Sequence, residues 1–551
     1  MDYLKTFKQW QECVTDSTLK KELKKIENDS KAIENAFYKD LEFGTAGLRG
    51  IIGVGTNCLN IYTIMRTTMG VAQYMAKHNL KNVAISYDSR NKSKLFAEVA
   101  SRVLNSQGIK TYLTDDCMPT PFCSYMTRYY GCGLGVMITA SHNPKMFNGY
   151  KVYGSDGAQL LEEPSFEISQ FVKEINPFEI KIKSMKYYQK QGLVEYIDSK
   201  IVDDYIACVK KQSLNAMGDI KVVYTPLNGT GYKLVPRVLR ELGLKVNIVE
   251  KQGYPNGNFT TCPKPNPEKA EALKLAIEDA KNTQAELVLA TDPDCDRVGI
   301  AVLDKGEYVL FTGNEVGALL SEYILSNKKK RAQLHSDQMI IKSLVSTSLV
   351  DAIAKDYGVK CVNVLTGFKY IGNQILKLEE KNKTENFLFG FEESYGYLAG
   401  SYVRDKDGVL ASMLICEMVS YYKQQGKSLV EKLNELYEKY GYYKHVVTSY
   451  EFAGASGNKH MKDLLDNLRK NPSKNIGEFE VTEVVDYLTQ TIYDLPKANM
   501  LIFSLSNGGN VIIRPSGTEP LIKTYTTVNK TPDVNERAIA SIQEHFKKYF
   551  K

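Results

Sequence analysis

The segment Asn82-Val-Ala-Ile-Ser-Tyr-Asp-Ser-Arg90 begins with an apolar, β-branched run and ends in a polar turn, a pattern typical of a buried strand. In the residues that follow, Ser93–Leu104, apolar side chains recur with the spacing of a helix. A strand followed by a turn and an amphipathic helix forms one α/β unit. The segment therefore predicts an α/β fold in which this helix packs against the sheet.

The same order of strand, turn and helix occurs twice more along the chain. Ile220–Gly231 precedes Lys233–Leu242, and Met339–Ser348 precedes Leu349–Asp356. Strands that alternate with helices indicate parallel or mixed sheets covered by helices. These units therefore suggest a repeated α/β domain.

The C-terminal part of the chain has a different pattern, with several strand-like segments before one terminal helix. The segments are Phe479–Val485, Met500–Leu505, Gly509–Arg514 and Leu521–Val528, and the helix is Val534–Phe550. Strands grouped in this way are typical of an α+β domain. A chain of 551 residues suits between three and four domains at about 150 residues each. The expected domains are residues 1–203, 204–305, 306–442 and 443–551.

Composition and charge exclude several classes of protein. Hydrophobic residues make up 43% of the chain and charged residues 25%, the balance of a soluble globular protein and not of a disordered tail or a coiled-coil rod. No apolar run approaches the roughly 18 residues of a membrane span, and Met1–Trp10 lacks the apolar core of a signal peptide. The net charge of +7 comes from mixed Lys and Glu, typical of a solvated surface, although it would also suit a phosphorylated substrate.

The ten cysteines are spread as single residues, and no two of them have the Cys-x-x-Cys spacing of a zinc or redox site. Reduced thiols in the cytosol are the simplest interpretation, because a chain of this length needs no disulfides. We therefore expect a cytoplasmic protein. We also expect a monomer or homodimer whose partners are small molecules, with no binding of nucleic acid or membrane.

Four polar loops follow apolar, strand-like runs and contain the candidate functional residues. The first is Thr139-Ala-Ser-His-Asn-Pro144, directly after Gly133–Ile138. A strand that ends here places Ser141 at the carboxyl edge of a sheet, where α/β proteins build their sites. A helix N-cap or a turn explains the same residues equally well. A serine hydrolase is disfavoured, because the Gly-x-Ser-x-Gly motif is absent.

The second loop is Thr291-Asp-Pro-Asp-Cys-Asp-Arg-Val-Gly299, after the strand-like Ala285–Ala290. Its carboxylates at Asp292, Asp294 and Asp296 alternate, and in an extended loop they point to one side. Crowded carboxylates repel each other unless a cation lies among them, so the loop indicates a hard divalent metal, Mg²⁺ before Ca²⁺. The EF-hand pattern does not fit, and an ordinary acidic turn is the weaker alternative.

The third and fourth loops, taken alone, would be assigned to ordinary loop structure. Gly390-Phe-Glu-Glu-Ser-Tyr-Gly396 offers two carboxylates and a hydroxyl that suit a polyol, but solvated acids explain it as well. Arg514-Pro-Ser-Gly-Thr-Glu-Pro520 offers an Arg, hydroxyls and backbone N–H groups that suit a phosphate dianion, but a Pro-Gly turn has the same composition. The Walker A and Gly-x-Gly-x-x-Gly patterns are absent, so nucleotide cofactors are not indicated.

Together and in this order, the four loops resemble the site loops of the α-D-phosphohexomutase superfamily, closest to the bacterial-type branch of the phosphoglucomutase/phosphomannomutase group. Further matching segments are Phe43–Gly50, Tyr87–Arg90, Thr366–Lys369 and Arg404–Gly408. The resemblance covers the chain from about Gly44 to Tyr525. It implies an α/β protein of four domains around a central cleft, three of them similar α/β domains with mixed sheets and the last an α+β domain.

The resemblance also implies the chemistry of the first two loops. Ser141 would carry a transferable phosphoryl group. The metal ligands would be Asp292, Asp294, Asp296 and, through its phosphate, Ser141. Lys151 would act as general acid and base, with His142 as the other candidate, and this role requires that the pKa of Lys151 be lowered. Arg297 would lie near the phosphate.

Substrate contacts follow from the same resemblance. The sugar hydroxyls would be bound by Glu392 and Ser394. The other implied substrate-binding residues are Arg514, Ser516, Gly517, Thr518 and Lys523 for the non-reacting phosphate, with Thr366, Gly367, Arg49 and Lys406. Contacts from Glu392 and Ser394 to the adjacent hydroxyls O3 and O4 depend little on the configuration at C2, the carbon at which glucose and mannose differ. The preferred substrate therefore stays open.

The implied activity is the reversible interconversion of glucose 1-phosphate and glucose 6-phosphate. The implied cofactors are Mg²⁺ and glucose 1,6-bisphosphate, which serves as both activator and intermediate. Phosphomannomutase or phosphopentomutase activity, or dual specificity, is a near alternative. A remote alternative is a haloacid-dehalogenase-like phosphatase with Asp292 as nucleophile. A further alternative is a sugar-phosphate-binding scaffold without turnover.

Overall fold

The computed structural model describes residues 2–44, 47–452, 454–489, 495–516 and 521–550, without the side chains of residues 454–456 and 458. The chain divides into two compact units. The first unit consists of Met1–Phe311, Gly372–Thr384 and Tyr395–Tyr421. The second unit consists of Thr312–Ile371, Glu385–Ser394 and Tyr422–Lys551.

The first unit begins with a six-stranded mixed sheet. Its strands are β1 (Leu48–Ile51), β2 (Asn82–Tyr87), β3 (Lys110–Leu113), β4 (Leu134–Ile138), β5 (Phe147–Gly154) and β6 (Val194–Tyr196). They lie in the order β1-β5-β4-β2-β3-β6. Strands β2, β3, β4 and β6 are parallel, whereas β5 runs antiparallel to β4 and β1. The polar loops after β2 and β4 therefore meet at the same edge of the sheet.

Among the residues that the structure describes, nine α-helices accompany this sheet, and the first three of them come before it in the chain. They are α1 (Tyr3–Cys13), α2 (Ser17–Ile26), α3 (Ser30–Phe37), α4 (Ile61–Lys77), α5 (Ser93–Ser106), α6 (Thr120–Tyr129), α7 (Glu162–Glu174), α8 (Met185–Lys190) and α9 (Ser199–Lys210). The core between helices and sheet contains fully buried Ile85 of β2, Val136 of β4 and Val103 of α5. The predicted α/β unit at residues 82–104 is confirmed, because β2 is followed by α5.

The second sheet of the first unit has five strands. They are β7 (Lys221–Thr225), β8 (Lys245–Ile248), β9 (Leu287–Thr291), β10 (Val298–Asp304) and β11 (Glu307–Phe311), with helices α10 (Gly231–Glu241) and α11 (Ala270–Thr283). The order is β11-β10-β9-β7-β8, with β7 parallel to β8 and β9. Every residue of β9 is buried, which explains its continuous apolar run.

The remaining α/β elements lie between residues 312 and 440. The helices are α12 (Gly313–Lys330), α13 (Leu349–Asp356), α14 (Phe368–Glu379), α15 (Gly408–Lys423) and α16 (Leu429–Tyr440). The strands are β12 (Met339–Ser343), β13 (Lys360–Val364), β14 (Phe387–Glu392) and β15 (Gly396–Leu398). In the second unit, β12 pairs in parallel with both β13 and β14. The predicted third strand and helix, at residues 339–356, are thus β12 and α13.

The C-terminal part of the second unit is an antiparallel sheet with two helices. The strands are β16 (Tyr443–Glu451), β17 (Asn475–Ile476), β18 (Phe479–Asp486), β19 (Leu501–Leu505), β20 (Asn510–Pro515) and β21 (Leu521–Asn529), and the helices are α17 (Gly454–Lys470) and α18 (Pro532–Tyr549). The order is β16-β21-β20-β19-β18-β17. The expected α+β pattern is confirmed. In the described part of the chain, every helix is too short or too polar to cross a lipid bilayer.

Helices α1 and α3 contribute to an aromatic cluster around the chain's single tryptophan, and α2 adds Leu19 and Leu23 to the same apolar core. Trp10 lies edge-on to Phe37, with ring centroids 5.5 Å apart, and to Tyr62 of α4, with centroids 5.7 Å apart. Phe37 is fully buried and also contacts Phe7. Edge-to-face packing of this kind adds to the burial of apolar area, so the cluster holds the three helices on α4.

Replacing Phe37 with alanine should lower the free energy of unfolding of this cluster by about 3–5 kcal/mol, because it leaves a cavity the size of a phenyl ring. Urea unfolding followed by Trp10 fluorescence measures it directly, since no other tryptophan contributes. The control is Phe166→Ala, whose ring is 66% exposed and which should change stability little. An unchanged midpoint for Phe37→Ala would mean that the cluster contributes nothing to holding the helices.

Candidate active site

Ser141 lies in the loop that follows β4, at the carboxyl edge of the first sheet. Its backbone has a φ of +52°, in the left-handed region that non-glycine residues rarely adopt. The Thr139 hydroxyl accepts a hydrogen bond from the Ser141 N–H at 2.8 Å, and the side chain is 4% exposed. A strained conformation of this kind persists only where neighbouring groups hold it in place.

Arg90, from the turn after β2, holds the loop of Ser141. Its buried guanidinium donates hydrogen bonds to the backbone carbonyls of Ser141, Asn143, Pro144 and Phe147. The same group is paired with Asp88, whose Oδ2 lies 3.2 Å from Arg90 Nε. The sequence indicated Arg90 only as part of a matching segment. In the structure it is the group that fixes the loop backbone.

The three aspartates follow β9 directly and lie together. The side chains of Asp292, Asp294 and Asp296 are all buried, with one ligand atom from each within 4.8 Å of the others. Ser141 Oγ donates a hydrogen bond to Asp292 Oδ2 at 2.8 Å. Residues separated by 151 positions in the chain are thus in direct contact. The structure brings the first and second predicted loops into one site.

Two carboxylate oxygens of this acidic cluster are available to a ligand. Among the described residues, Asp294 Oδ1 and Asp296 Oδ1 are buried and have no hydrogen-bond partner. Burial and the charges of Asp294 and Asp296 raise the pKa of Asp292 well above its usual range. Buried, mutually repelling carboxylates whose Oδ1 atoms accept no hydrogen bond fit a divalent cation, because its charge removes the repulsion and its coordination uses those oxygens.

The backbone of the acidic loop is fixed from three other segments. Thr230 N–H donates to the Pro293 carbonyl at 2.8 Å, Thr120 N–H donates to the Asp294 carbonyl at 2.8 Å, and Gly408 N–H donates to the Cys295 carbonyl at 3.0 Å. These donors come from α6, from the start of α10 and from α15. Satisfied carbonyls on consecutive residues leave the loop little freedom, so the carboxylates are preorganised.

Two lysines offset part of the charge of the acidic cluster. Lys151 Nζ lies 3.1 Å from Asp294 Oδ2 and 3.7 Å from Asp296 Oδ2. Lys406 Nζ lies 3.1 Å from Asp296 Oδ2. Burial lowers the pKa of Lys151, but Asp294 and Asp296 outweigh it, and the pKa lies above its usual value. The lowered pKa expected for a general base is therefore not present here, and Lys151 is in its acid form.

His142 and two arginines complete the polar groups near Ser141. His142 Nδ1 lies 3.2 Å from Ser141 Oγ, a contact that the sequence left open. Burial, together with the positive charges of Arg297 and Arg49, lowers the pKa of His142 well below its usual value, so the imidazole is neutral. Arg49 Nη1 donates to Asn143 Oδ1 at 3.1 Å, and Arg297 Nε lies 3.8 Å from Asp296 Oδ1.

The predicted sugar loop begins within the last residues of β14, in the second unit. Glu392 is 5% exposed, and its Oε1 accepts a hydrogen bond from the Gly367 N–H at 2.7 Å. Gly367 has a φ of +122°, which a residue with a side chain would rarely adopt, so the turn at Thr366 and Gly367 depends on glycine here. Ser394 is half-buried. The structure thus brings the Thr366–Gly367 turn and the third loop together.

The predicted phosphate loop lies between β20 and β21 of the second unit. Arg514 and Lys523 are directly opposite each other on these strands, and Ser516 N–H donates to the Leu521 carbonyl at 2.8 Å. Burial and Glu393 raise the pKa of Tyr525, while Arg514 opposes them, so both charged groups lie near this phenol. Gly517 and Thr518 lie outside the described residues.

Family models and a known protein match most of the chain. The models of the phosphoglucomutase/phosphomannomutase alpha/beta/alpha domains I, II and III match residues 40–178, 203–306 and 312–440. A phosphoglucomutase of Staphylococcus haemolyticus is 39% identical over 515 residues, covering 90% of this chain and 92% of that protein.

Solved structures share the fold. A phosphoglucomutase/phosphomannomutase family protein of Burkholderia thailandensis has a TM-score of 0.69 at 19% identity, covering 93% of this chain and 97% of that one. The N-acetylphosphoglucosamine mutase of Aspergillus fumigatus, solved in complex with GlcNAc-6P and magnesium, has a TM-score of 0.51 at 13% identity, covering 98% and 100%.

These matches confirm the expected superfamily and its fold class, three α/β domains followed by a C-terminal α+β domain. They also confirm the expected enzyme class, an intramolecular phosphotransferase of the isomerase class. The buried acidic cluster fits the metal binding expected of such an enzyme. By its identity to a curated relative over 90% of its length, the chain belongs to the phosphoglucomutase/phosphomannomutase family of α-D-phosphohexomutases.

Proposed function

We propose that this protein is a phosphoglucomutase that interconverts glucose 1-phosphate and glucose 6-phosphate through a phosphoserine at position 141. The contact that carries the proposal is the one between Ser141 Oγ and Asp292 Oδ2, 2.8 Å apart, at the edge of a buried acidic cluster. A serine hydroxyl beside metal-binding carboxylates is suited to phosphoryl transfer. The curated relative at 39% identity, named a phosphoglucomutase, supports glucose phosphates as the substrate.

In the proposed reaction, phosphorylated Ser141 donates its phosphoryl group to the free hydroxyl of a hexose monophosphate. The bond between phosphorus and serine oxygen breaks as a bond to the sugar oxygen forms, and the hydroxyl proton passes to a base of the enzyme. The product, glucose 1,6-bisphosphate, turns end for end and returns its other phosphate to Ser141. Lys151 and His142 are the candidates for the proton transfer, since both lie beside this site. Neutral His142 can accept the proton, whereas Lys151 in its acid form can only donate one.

Asp292, Asp294 and Asp296 would hold Mg²⁺, because an all-oxygen ligand set is the one this ion prefers. When bound, it would withdraw charge from phosphorus and stabilise the charge developing on the serine oxygen. The magnesium in the Aspergillus fumigatus relative supports this choice of ion. Arg297 would balance the charge of the transferring group, and Arg49 and Lys406 would add to the positive potential around it.

The sugar must bind in two orientations, so its contacts must tolerate reversal. We assign these contacts to Glu392 and Ser394, supported by the turn at Thr366 and Gly367. The non-reacting phosphate would be bound by Arg514, Ser516, Gly517, Thr518 and Lys523. An arginine with hydroxyls and backbone N–H groups is a strong binder of a phosphate dianion.

Replacing Arg514 with alanine should raise the KM for glucose 1-phosphate about 10- to 100-fold, since one charged hydrogen-bond partner of a phosphate contributes about 1.5–3 kcal/mol. Steady-state kinetics measure the change. Arg537→Ala is the control, because Arg537 is an exposed residue of α18 and should leave the KM unchanged. A KM for Arg514→Ala equal to that of the wild type would remove Arg514 from the phosphate site.

The proposed activity is tested by adding glucose 1-phosphate, Mg²⁺ and a trace of glucose 1,6-bisphosphate and measuring glucose 6-phosphate in a coupled assay. Mannose, ribose and N-acetylglucosamine 1-phosphates at equal concentration separate phosphoglucomutase from phosphomannomutase and phosphopentomutase activity. Absence of turnover with every sugar would favour a binding scaffold. An acid-labile phosphoenzyme that hydroxylamine cleaves would instead favour the aspartyl-phosphate chemistry of a phosphatase, because phosphoserine survives acid.

We further propose a cytoplasmic monomer or homodimer whose partners are sugar phosphates. Its domains would be residues 1–203, 204–305, 306–442 and 443–551. Expression of these segments and size-exclusion chromatography of the full chain test the boundaries and the oligomeric state.

A further inference from the structure

We propose that Thr120 is a positioning residue that orients Asp294 for metal binding. The inference rests on the proposed function, because it concerns the divalent cation which that function requires. Thr120 begins helix α6 and lies in the part of the chain matched by the first family domain, whereas Asp294 lies in the part matched by the second. The link therefore joins one domain's helix to the other domain's metal loop.

Thr120 holds Asp294 at two points. Its N–H donates to the Asp294 carbonyl at 2.8 Å, and its Oγ1 donates to Asp294 Oδ2, also at 2.8 Å. Both residues are fully buried, so water does not compete for these bonds. Pro119 and Pro121 flank Thr120 and restrict the backbone of the first helical turn. Backbone and side chain of the ligand are thus held by one rigid residue.

The hydroxyl of Thr120 also determines which oxygen of Asp294 is left for a cation. Oδ2 accepts from Thr120 Oγ1 and from Lys151 Nζ at 3.1 Å, while Oδ1 is buried and unpaired among the described residues. A carboxylate can otherwise rotate about its terminal bond at low cost. Hydrogen bonds from the surroundings fix a ligand's orientation and tune metal affinity. Thr120 therefore makes Oδ1 the oxygen that is ready to coordinate.

The test compares the affinity of three variants for MgCl₂, measured by isothermal titration calorimetry on the full-length, dephosphorylated protein without sugar. Thr120→Val keeps the side-chain volume and should weaken Mg²⁺ binding about 10- to 100-fold. Thr120→Ser keeps the hydroxyl and should bind within about threefold of the wild type, a margin below 1 kcal/mol. Thr127→Val is the matched control, since Thr127 is a buried threonine of the same helix whose hydroxyl donates to Cys123 O at 2.8 Å.

Wild-type affinity in Thr120→Val, or equal weakening in Thr127→Val, would overturn the proposal. If Thr120→Val does not fold, Thr120→Ala replaces it, because alanine fits the same space without steric conflict. In activity assays, Thr120→Val should require more Mg²⁺ for half-maximal rate but regain most of the wild-type kcat at saturating Mg²⁺. A general structural defect would lower kcat at every Mg²⁺ concentration. Mg²⁺ affinity and glucose phosphate turnover are separate measurements, so failure of the proposed function and failure of this inference are distinguishable.

Discussion

Replacement of Ser141 by alanine is expected to reduce phosphoglucomutase turnover by at least about 10⁴-fold, because it removes the oxygen that accepts and returns the phosphoryl group. The variant should still fold, since alanine loses only the hydroxyl and its hydrogen bonds to Asp292 and His142. Substrate affinity should be kept or increased, because the negative charge of the phosphoserine is no longer present to repel the sugar phosphate.

The coupled assay measures the loss of turnover, and calorimetry with glucose 1-phosphate measures the affinity. The matched control is Ser155→Ala, an exposed serine in the turn that follows β5, which should keep full activity. Residual activity of Ser141→Ala within tenfold of the wild type would mean that another group carries the phosphate. In that case the contact between Ser141 and the acidic cluster would have no role in catalysis.

Replacement of Asp294 by asparagine is expected to weaken Mg²⁺ binding by more than about 100-fold, beyond the range of residues that only support a ligand. The reason is charge: the amide keeps the shape of the side chain but removes one of the buried negative charges that attract the ion. Turnover at a fixed Mg²⁺ concentration should fall with the occupancy of the site.

Calorimetry with MgCl₂ and the coupled assay at a series of Mg²⁺ concentrations test this expectation together. Asp115→Asn provides the control, because Asp115 is an exposed aspartate outside the acidic cluster. If Asp294→Asn lost turnover but bound Mg²⁺ as the wild type does, Asp294 would act on the reaction without holding the ion.

The fold class was predictable from local patterns. Strand β2 and helix α5 lie where an apolar run and a helical repeat predicted them, and the strand-rich C-terminal pattern is the antiparallel sheet. Both signals arise within a few residues, because a buried strand needs apolar side chains and a helix needs them on one face. Helices α1 to α3 were not assigned from the sequence, although each begins after an aspartate N-cap, Asp2, Asp16 or Asp29, which is a local signal that could have located them.

The site was predictable in part. Ser141 and the three aspartates followed from motifs, and the structure places them in contact. Thr120 could not be predicted, because its partner Asp294 is 174 positions away and no local pattern records such a contact. The charge state of Lys151 could not be predicted from the sequence either. It depends on whether burial, which lowers the pKa, or the neighbouring carboxylates, which raise it, have the larger effect.

The donors that fix the acidic loop come from Thr120, Thr230 and Gly408, which are far apart in the chain. An unfolded polypeptide cannot assemble them, so the ion should bind the native state alone. By thermodynamic linkage, an ion at 100 times its dissociation constant then stabilises that state by about 2.7 kcal/mol. If the ion is the magnesium of the proposed function, it would thereby protect this protein against heat and proteases, even when no sugar is present.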